Sequence, residues 1–140
     1  MYYITTEASF DAAHFLKNYK GKCRNIHGHR WKIEIKVKTK ELLTDRQNEG
    51  MVTDFKDLKK DLNEIVDKLD HTLIYEEGSM KPELIHMLKE EKFALTAVPF
   101  RPTAENFSRY FYEKMQEKGY RVAEAVVYET PKNCAAYDGE

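Results

Sequence analysis

A chain of 140 residues with 41% apolar and 34% charged side chains has the make-up of one folded domain, spanning 1–140, whose core needs no disulfide staples. Its 23 Lys and Arg nearly balance 24 Asp and Glu, a net charge of −1, so bulk charge draws it neither to nucleic acid nor to an anionic membrane. No apolar run nears the roughly 18 residues of a spanning helix, the opening MYYITTEASF lacks a signal peptide's basic start and apolar stretch, and two cysteines are too few for a disulfide scaffold, so a cytoplasmic protein with free thiols is expected.

In chain order, TTEASFDAAH alternates, with Ala8, Phe10, Ala12 and His14 on one face of a strand. HGHRWKIEIKVKTK alternates more clearly: His27, His29, Trp31, Ile33, Ile35 and Val37 on one face, charged residues on the other. One covered and one wet face favour an antiparallel sheet. TDRQNEG reads as a turn. TDFKDLKKDLNEIVDKL switches to helical period, with Phe55, Leu58, Leu62, Ile65, Val66 and Leu69 as its stripe and Thr53 or Asp54 as N-cap. KPELIHMLKEEK suggests a short helix with Pro82 in its first turn. PTAENFSRYFYEKMQEKG predicts a second firm helix, capped by Thr103, striped by Phe107, Tyr110, Phe111 and Met115, and stopped by Gly119. RVAEAVVYE and NCAAY read as closing strands. The expected fold is α+β: a four-stranded antiparallel sheet with two helices on one face.

The stretch CRNIHGHRW carries the chemistry. On a strand, residues i and i+2 point the same way, so His27 and His29 can aim two ring nitrogens at one ion, and Gly28 lets backbone pass close. His14 has the same parity as Phe10 and Ala12, and if the two strands pair as a hairpin it supplies a third nitrogen. Three neutral imidazoles leave a position open on Zn²⁺, the catalytic arrangement; Fe, Ni or Cu could compete. Against this stands the plain account in which an H-x-H pair caps a strand end by hydrogen bonding.

Cys23 precedes His27 by four residues and sits among Lys22, Arg24 and the histidines, a setting that would favour a thiolate beside a divalent cation. It could ligate the ion and close the site, or serve as acid/base or nucleophile beside an open one. Cys134 has no such neighbours and reads as structural. Asp70 and His71 are adjacent where the first helix ends. A helix dipole explains a terminal His, and a carboxylate-supported acid/base is the functional alternative. Glu129 shares the parity of Ala123, Ala125 and Val127, so it faces either a covered region and a guanidine-like ligand edge, or solvent. His86 reads as a surface histidine. The run KNYKGKCR holds Lys17, Lys20, Lys22 and Arg24, by default a solvated loop and otherwise an attraction for phosphate.

Together FDAAH, CRNIHGHRW, VTDFKDLK, LDHTLI, PTAEN and YET with a terminal YDGE resemble one family, the pterin-processing synthases of the tunnelling fold, or 6-pyruvoyl-tetrahydropterin synthase family. The matches run from Phe10 to Glu140; the stretch Glu76–Pro99 looks longer than in compact members and carries nothing over. Three residues separate Cys23 from His27, fewer than in the animal 6-pyruvoyl-forming enzymes. This gap is similar to that of the 6-carboxy-5,6,7,8-tetrahydropterin synthases of queuosine biosynthesis.

The resemblance implies that His14, His27 and His29 hold Zn²⁺ and that Cys23 is the acid/base thiol. It implies that Asp70 and His71 complete a proton relay across a subunit boundary, that Glu129 anchors the 2-amino and N3 edge of a pterin, and that Thr103 helps line its pocket. It implies a homohexamer of two stacked trimers and a lyase reaction on 7,8-dihydroneopterin triphosphate that yields 6-carboxytetrahydropterin, acetaldehyde and triphosphate. Two rivals stand: formation of the 6-pyruvoyl product, and a non-catalytic zinc module with Cys23 as a closing fourth ligand.

Overall fold

The computed structural model describes residues 1–140. Strand β1 (Tyr2–His14) and strand β2 (His27–Thr39) form a long antiparallel ladder, from Tyr2 opposite Thr39 to His14 opposite His27. Their even alternation buries Ala8, Phe10, Ala12, Trp31, Ile33, Ile35 and Val37 on one face. Phe10 and Trp31, opposite each other in register, stack with centroids 6.0 Å apart, and the Trp31 indole N–H donates to the Ala12 carbonyl at 3.3 Å.

Helix α1 (Phe55–Asp67) is capped by Asp54, whose carboxylate accepts from the Lys56 N–H at 2.7 Å. It buries Leu58, Leu62, Ile65 and Val66 against β1, while Phe55, expected in the stripe, lies before the turn that meets the sheet and is 61% exposed. Strand β3 (Thr72–Glu76) follows, then α2 (Pro82–Glu90) and strand β4 (Leu95–Val98). Helix α3 (Ala104–Glu117) lies over β2, strand β5 (Val122–Thr130) and strand β6 (Asn133–Tyr137). It buries Phe107, Phe111 and Met115 and ends at Gly119, where φ is +97°.

The sheet order is β4-β3-β1-β2-β5-β6. The four expected strands are its contiguous antiparallel part, β1-β2-β5-β6. The expectation of four strands and two helices is therefore corrected: β3 adds to β1, and β4 to β3, both in parallel, making a six-stranded mixed sheet with three helices. Parallel neighbours need a crossover, and α2 supplies it between β3 and β4. Helices also occupy both faces. Leu73 and Tyr75 have the opposite parity to core residue Ile74 and pack with Phe15, Met80, Ile85 and Leu88, so α2 covers the reverse of the sheet from α1 and α3.

Two smaller expectations change. In β5 the core receives Val122 rather than Ala123, because Lys36 and Val37 pair with Glu124 and Val122 and leave Ala123 as a bulge. Cys134 is exposed on edge strand β6 rather than buried. No helix is long and apolar enough to cross a membrane.

Leu62 is fully buried and Leu84 is 44% exposed on α2. Leu62→Ala is expected to cost about 2–5 kcal/mol, and Leu84→Ala no more than about 0.5 kcal/mol. Urea unfolding followed by far-ultraviolet circular dichroism checks both, and equal losses would contradict this placement of the core.

Candidate metal centre and its surroundings

The ladder between β1 and β2 sets His14 opposite His27 and His29 opposite Ala12, so three imidazoles gather at one end of the covered face. Their ring centroids lie 4.6–5.1 Å apart. Glu129, near the end of β5, joins them, and one ligand atom from each of His14, His27, His29 and Glu129 falls within 4.8 Å of all the others. Trp31 floors the cluster, edge to face with His14 at 4.9 Å and His29 at 5.5 Å.

Backbone carbonyls fix which nitrogens face inward. His14 Nδ1 lies 2.7 Å from the Pro102 carbonyl, and His27 Nδ1 lies 2.7 Å from the Asn25 carbonyl. A carbonyl can only accept, so both Nδ1 atoms carry the proton and both Nε2 atoms are bare. Those Nε2 atoms are 3.1 Å apart. Burial, with the smaller repulsion of His27 and His29, lowers the His14 pKa to about 4 against the support of the Pro102 carbonyl, so protonation is a poor way to relieve two opposed lone pairs. His29 Nε2 is buried and lies 3.0 Å from Glu129 Oε1, yet out of line for a hydrogen bond. Burial lowers the His29 pKa, with the Glu129 carboxylate opposing the shift. Rings held through Nδ1–H by carbonyls, with bare Nε2 atoms turned inward and a carboxylate aimed at the same space, fit a divalent metal ion.

Neither held carbonyl was legible in the sequence. Asn25 is two residues from His27, but Pro102 reaches His14 across 88 positions. Thr103, expected to line a pocket, caps α3 by accepting from the Asn106 N–H at 3.2 Å, which fixes the turn that carries the Pro102 carbonyl.

Cys23 lies in a short 3-10 turn, Lys22–Arg24, half-buried, with its carbonyl accepting from the Leu16 N–H at 2.9 Å. Its sulfur is not among the gathered ligand atoms, the fourth of which belongs to Glu129.

Asp70 and His71 form a second unit. Asp70 Oδ1 accepts from the Asp11 N–H at 2.9 Å, and Oδ2 lies 2.9 Å from His71 Nδ1. The Asp11 amide first, then His71, hold the Asp70 carboxyl below its ordinary range. The pair therefore directs the Nδ1 proton of His71 at a carboxylate and leaves Nε2 free for proton transfer. His71 sits at φ +59°, a left-handed conformation His adopts more readily than most side chains, and its N–H donates to the Asp11 carbonyl at 2.6 Å. Its ring opens on a groove of about 660 Å³ walled by Asp11, Arg30, Leu73, Leu88 and Phe93. Ala12 and His29 also line this groove, so it reaches the margin of the imidazole cluster, but His71 is not among the residues whose ligand atoms gather there. His86 is exposed and pairs with Glu90 at 2.9 Å, as a surface histidine would.

Two predictions follow from this geometry. His27→Ala is expected to abolish binding of one Zn²⁺ or Co²⁺ per chain, measured by metal titration of chelator-treated protein; full retention would remove His27 from the centre. Asp70 is depressed in the fold, so its contribution to stability is full above the ordinary Asp pKa of about 3.9 and is lost as pH falls through the lower folded value. Asp70→Asn should therefore show a shallower loss of stability on acidification, and an unchanged acid limb would contradict the bond to the Asp11 amide.

Comparison with known proteins agrees with this architecture. The family model described as 6-pyruvoyl tetrahydropterin synthase matches residues 3–140. A protein of Haemophilus influenzae named 6-carboxy-5,6,7,8-tetrahydropterin synthase is 32% identical over 140 residues, covering 98% of this chain and 99% of its own. One of the same name from Synechocystis is 32% identical over 138 residues, covering 98% and 93%. Among solved structures, the 6-pyruvoyl tetrahydropterin synthase of Caenorhabditis elegans is 28% identical, with a TM-score of 0.69 over 100% of this chain and 98% of its own. An uncharacterized protein of Wolinella succinogenes shares the fold, with a TM-score of 0.78 at 21% identity over 99% and 98%. With a match along nearly its whole length and relatives above 30% identity, this chain belongs to the 6-pyruvoyl tetrahydropterin synthase family.

Proposed function

We propose that the protein is a zinc-dependent 6-carboxy-5,6,7,8-tetrahydropterin synthase of queuosine biosynthesis, acting in the cytoplasm. It would take 7,8-dihydroneopterin triphosphate and one water to 6-carboxytetrahydropterin, acetaldehyde and triphosphate. The observation that carries the reading is the set of inward-facing imidazole nitrogens whose tautomers are fixed by the Asn25 and Pro102 carbonyls. Two relatives bearing the 6-carboxy name favour that product over the 6-pyruvoyl one, as does the three-residue gap between Cys23 and His27.

In this reading His14, His27 and His29 hold Zn²⁺. When bound, the ion would supply Lewis acidity toward the substrate's side-chain oxygens. Cys23, half-buried in the turn leading to His27, moves protons at the substrate side chain. His71, backed by Asp70, moves protons from the other side through its free Nε2. Glu129 accepts from the pterin 2-amino group and N3–H, two parallel hydrogen bonds to one carboxylate. Thr103, whose hydroxyl keeps a proton to donate after capping α3, lines the same pocket.

His71 is not among the gathered ligand residues of its own chain, so in this reading a second copy brings a His71 to the cluster. A homohexamer of two stacked trimers with sites between subunits supplies one, and strands β4 and β6 give each sheet two open edges for assembly. The rival closed zinc module asks for Cys23 as fourth ligand, and its sulfur is not among the gathered ligand atoms.

Zinc-loaded protein incubated with 7,8-dihydroneopterin triphosphate is expected to give a 6-carboxy product by mass and trappable acetaldehyde. A 6-pyruvoyl product without acetaldehyde would overturn the assignment. Cys23→Ala is expected to keep its zinc and lose at least about a hundredfold in kcat; loss of zinc together with unfolding would favour the structural module.

A further inference from the structure

The loop between β1 and β2 carries Lys17, Lys20, Lys22 and Arg24, four of the chain's 23 cations, and residues 15–25 contain no Asp or Glu. All four are exposed. Arg101 stands against the loop, donating from Nη2 to the Lys17 carbonyl at 3.1 Å. No carboxylate lies within ion-pair distance of any of these five, whereas Arg30, Lys32, Lys36, Arg109, Lys114 and Lys118 are all paired. Like charges crowded without a counterion repel, and the arrangement persists only where something holds it.

The loop is held. Its two ends are tied by the bond from the Leu16 N–H to the Cys23 carbonyl at 2.9 Å, and Tyr19 N–H donates back to Leu16 at 3.2 Å. Asn18 takes the left-handed turn at φ +65°. The Tyr19 ring lies under the Arg101 guanidinium, 5.7 Å from centroid to carbon. Gly21 makes room for that ring, since a Cβ there would come within 2.7 Å of Tyr19 Cε1. Lys17, Tyr19, Lys20 and Arg24 line a depression of about 650 Å³.

Its place relative to the imidazoles follows from two peptide units. Arg24 immediately precedes Asn25, whose carbonyl holds His27, and Arg101 immediately precedes Pro102, whose carbonyl holds His14. The residues next in sequence to the two carbonyls that orient the inner rings are therefore both arginines. Lys17, Lys20 and Arg24 around one depression, with Lys22 on the same loop and Arg101 against it and no paired carboxylate, suit a chain of phosphates, guanidinium by paired hydrogen bonds and ammonium as point charge.

We propose that Lys17, Lys20, Lys22, Arg24 and Arg101 form a cradle for the polyphosphate chain of the substrate, holding it while the pterin side chain lies over the imidazole cluster. This rests on the reading of the substrate as a pterin triphosphate, and its test does not require turnover. Inorganic triphosphate is titrated calorimetrically into zinc-loaded wild-type protein and into the Lys20→Ala/Arg24→Ala double variant. Wild type should bind it with an affinity that falls as salt is raised, and the variant roughly tenfold or more weakly. Zinc content and binding of phosphate-free 7,8-dihydroneopterin should be unchanged in the variant, and KM for the phosphorylated pterin should rise more than kcat falls. Equal triphosphate binding by the two proteins, or no binding by wild type, would overturn the cradle. So would orthophosphate binding as tightly as triphosphate, which would mark an unspecific charge effect, or tighter binding of ATP, which would assign the loop to a nucleotide. Triphosphate held by the loop in a protein that never turns over the pterin would overturn the proposed reaction and leave the cradle standing.

Discussion

Everything in this molecule depends on the register of one antiparallel ladder. With His14 opposite His27 and Phe10 opposite Trp31, the even residues of β1 and the odd residues of β2 face the same side. That side must be the buried one, because it holds Phe10, Trp31, Ile33 and Ile35, each at most 2% exposed. A slip of one residue would turn these apolar groups to water and turn His27 and His29 away from His14. The hydrophobic effect that sets the core thus also sets the imidazoles, and no separate device is needed to bring the two ends of a long hairpin together. Burial of Phe10, Trp31, Ile33, Ile35 and Val37 along the ladder, each contributing about 1.5–3 kcal/mol before entropy is charged, holds the register that crowds the imidazoles at its end.

The centre is correspondingly built from rigid parts. Two imidazoles receive their orientation from main-chain carbonyls rather than from side chains, and one of these belongs to the turn that Thr103 caps at the start of α3. Helix α3 therefore does two jobs: it covers the sheet with Phe107, Phe111 and Met115, and its entry turn sets the His14 tautomer. The Asp70–His71 pair follows another logic. His71 sits in a strained backbone conformation just before an added parallel strand, exposed and tied to β1 only through Asp11 and Asp70. Such strain at a poised histidine accords with a functional role rather than a packing one.

The alternating pattern of β1 and β2 and the helical stripes of α1 and α3 were legible because each has one wet and one dry face. The histidine triad was legible for the same reason, since parity alone puts His14, His27 and His29 together. Strands β3 and β4 were not, because five and four residues are too few to establish a period, and a parallel addition leaves no hairpin turn to read. The short helix at Pro82 was read, but without these strands its place on the reverse face was not, nor the groove before His71 that Leu88, Phe93 and Leu95 help to wall. The bulge at Ala123 was hidden too, since period-2 reasoning carries parity straight through an inserted residue. The Pro102 carbonyl lay beyond local reading altogether: its identity as a hydrogen-bond acceptor is the same in every residue, and only the fold brings it to His14.

Trp31 is the chain's single tryptophan, wholly enclosed, stacked on Phe10 on one side and edge-on to His14 and His29 on the other. The protein's own fluorescence therefore originates at the junction of its interior and its chemistry. An ion arriving among the imidazoles and a loosening of the packing beneath them would perturb the same indole. Emission from this chain is thus a built-in optical gauge whose signal belongs to both events, and separating them requires a second probe placed away from the hairpin's end.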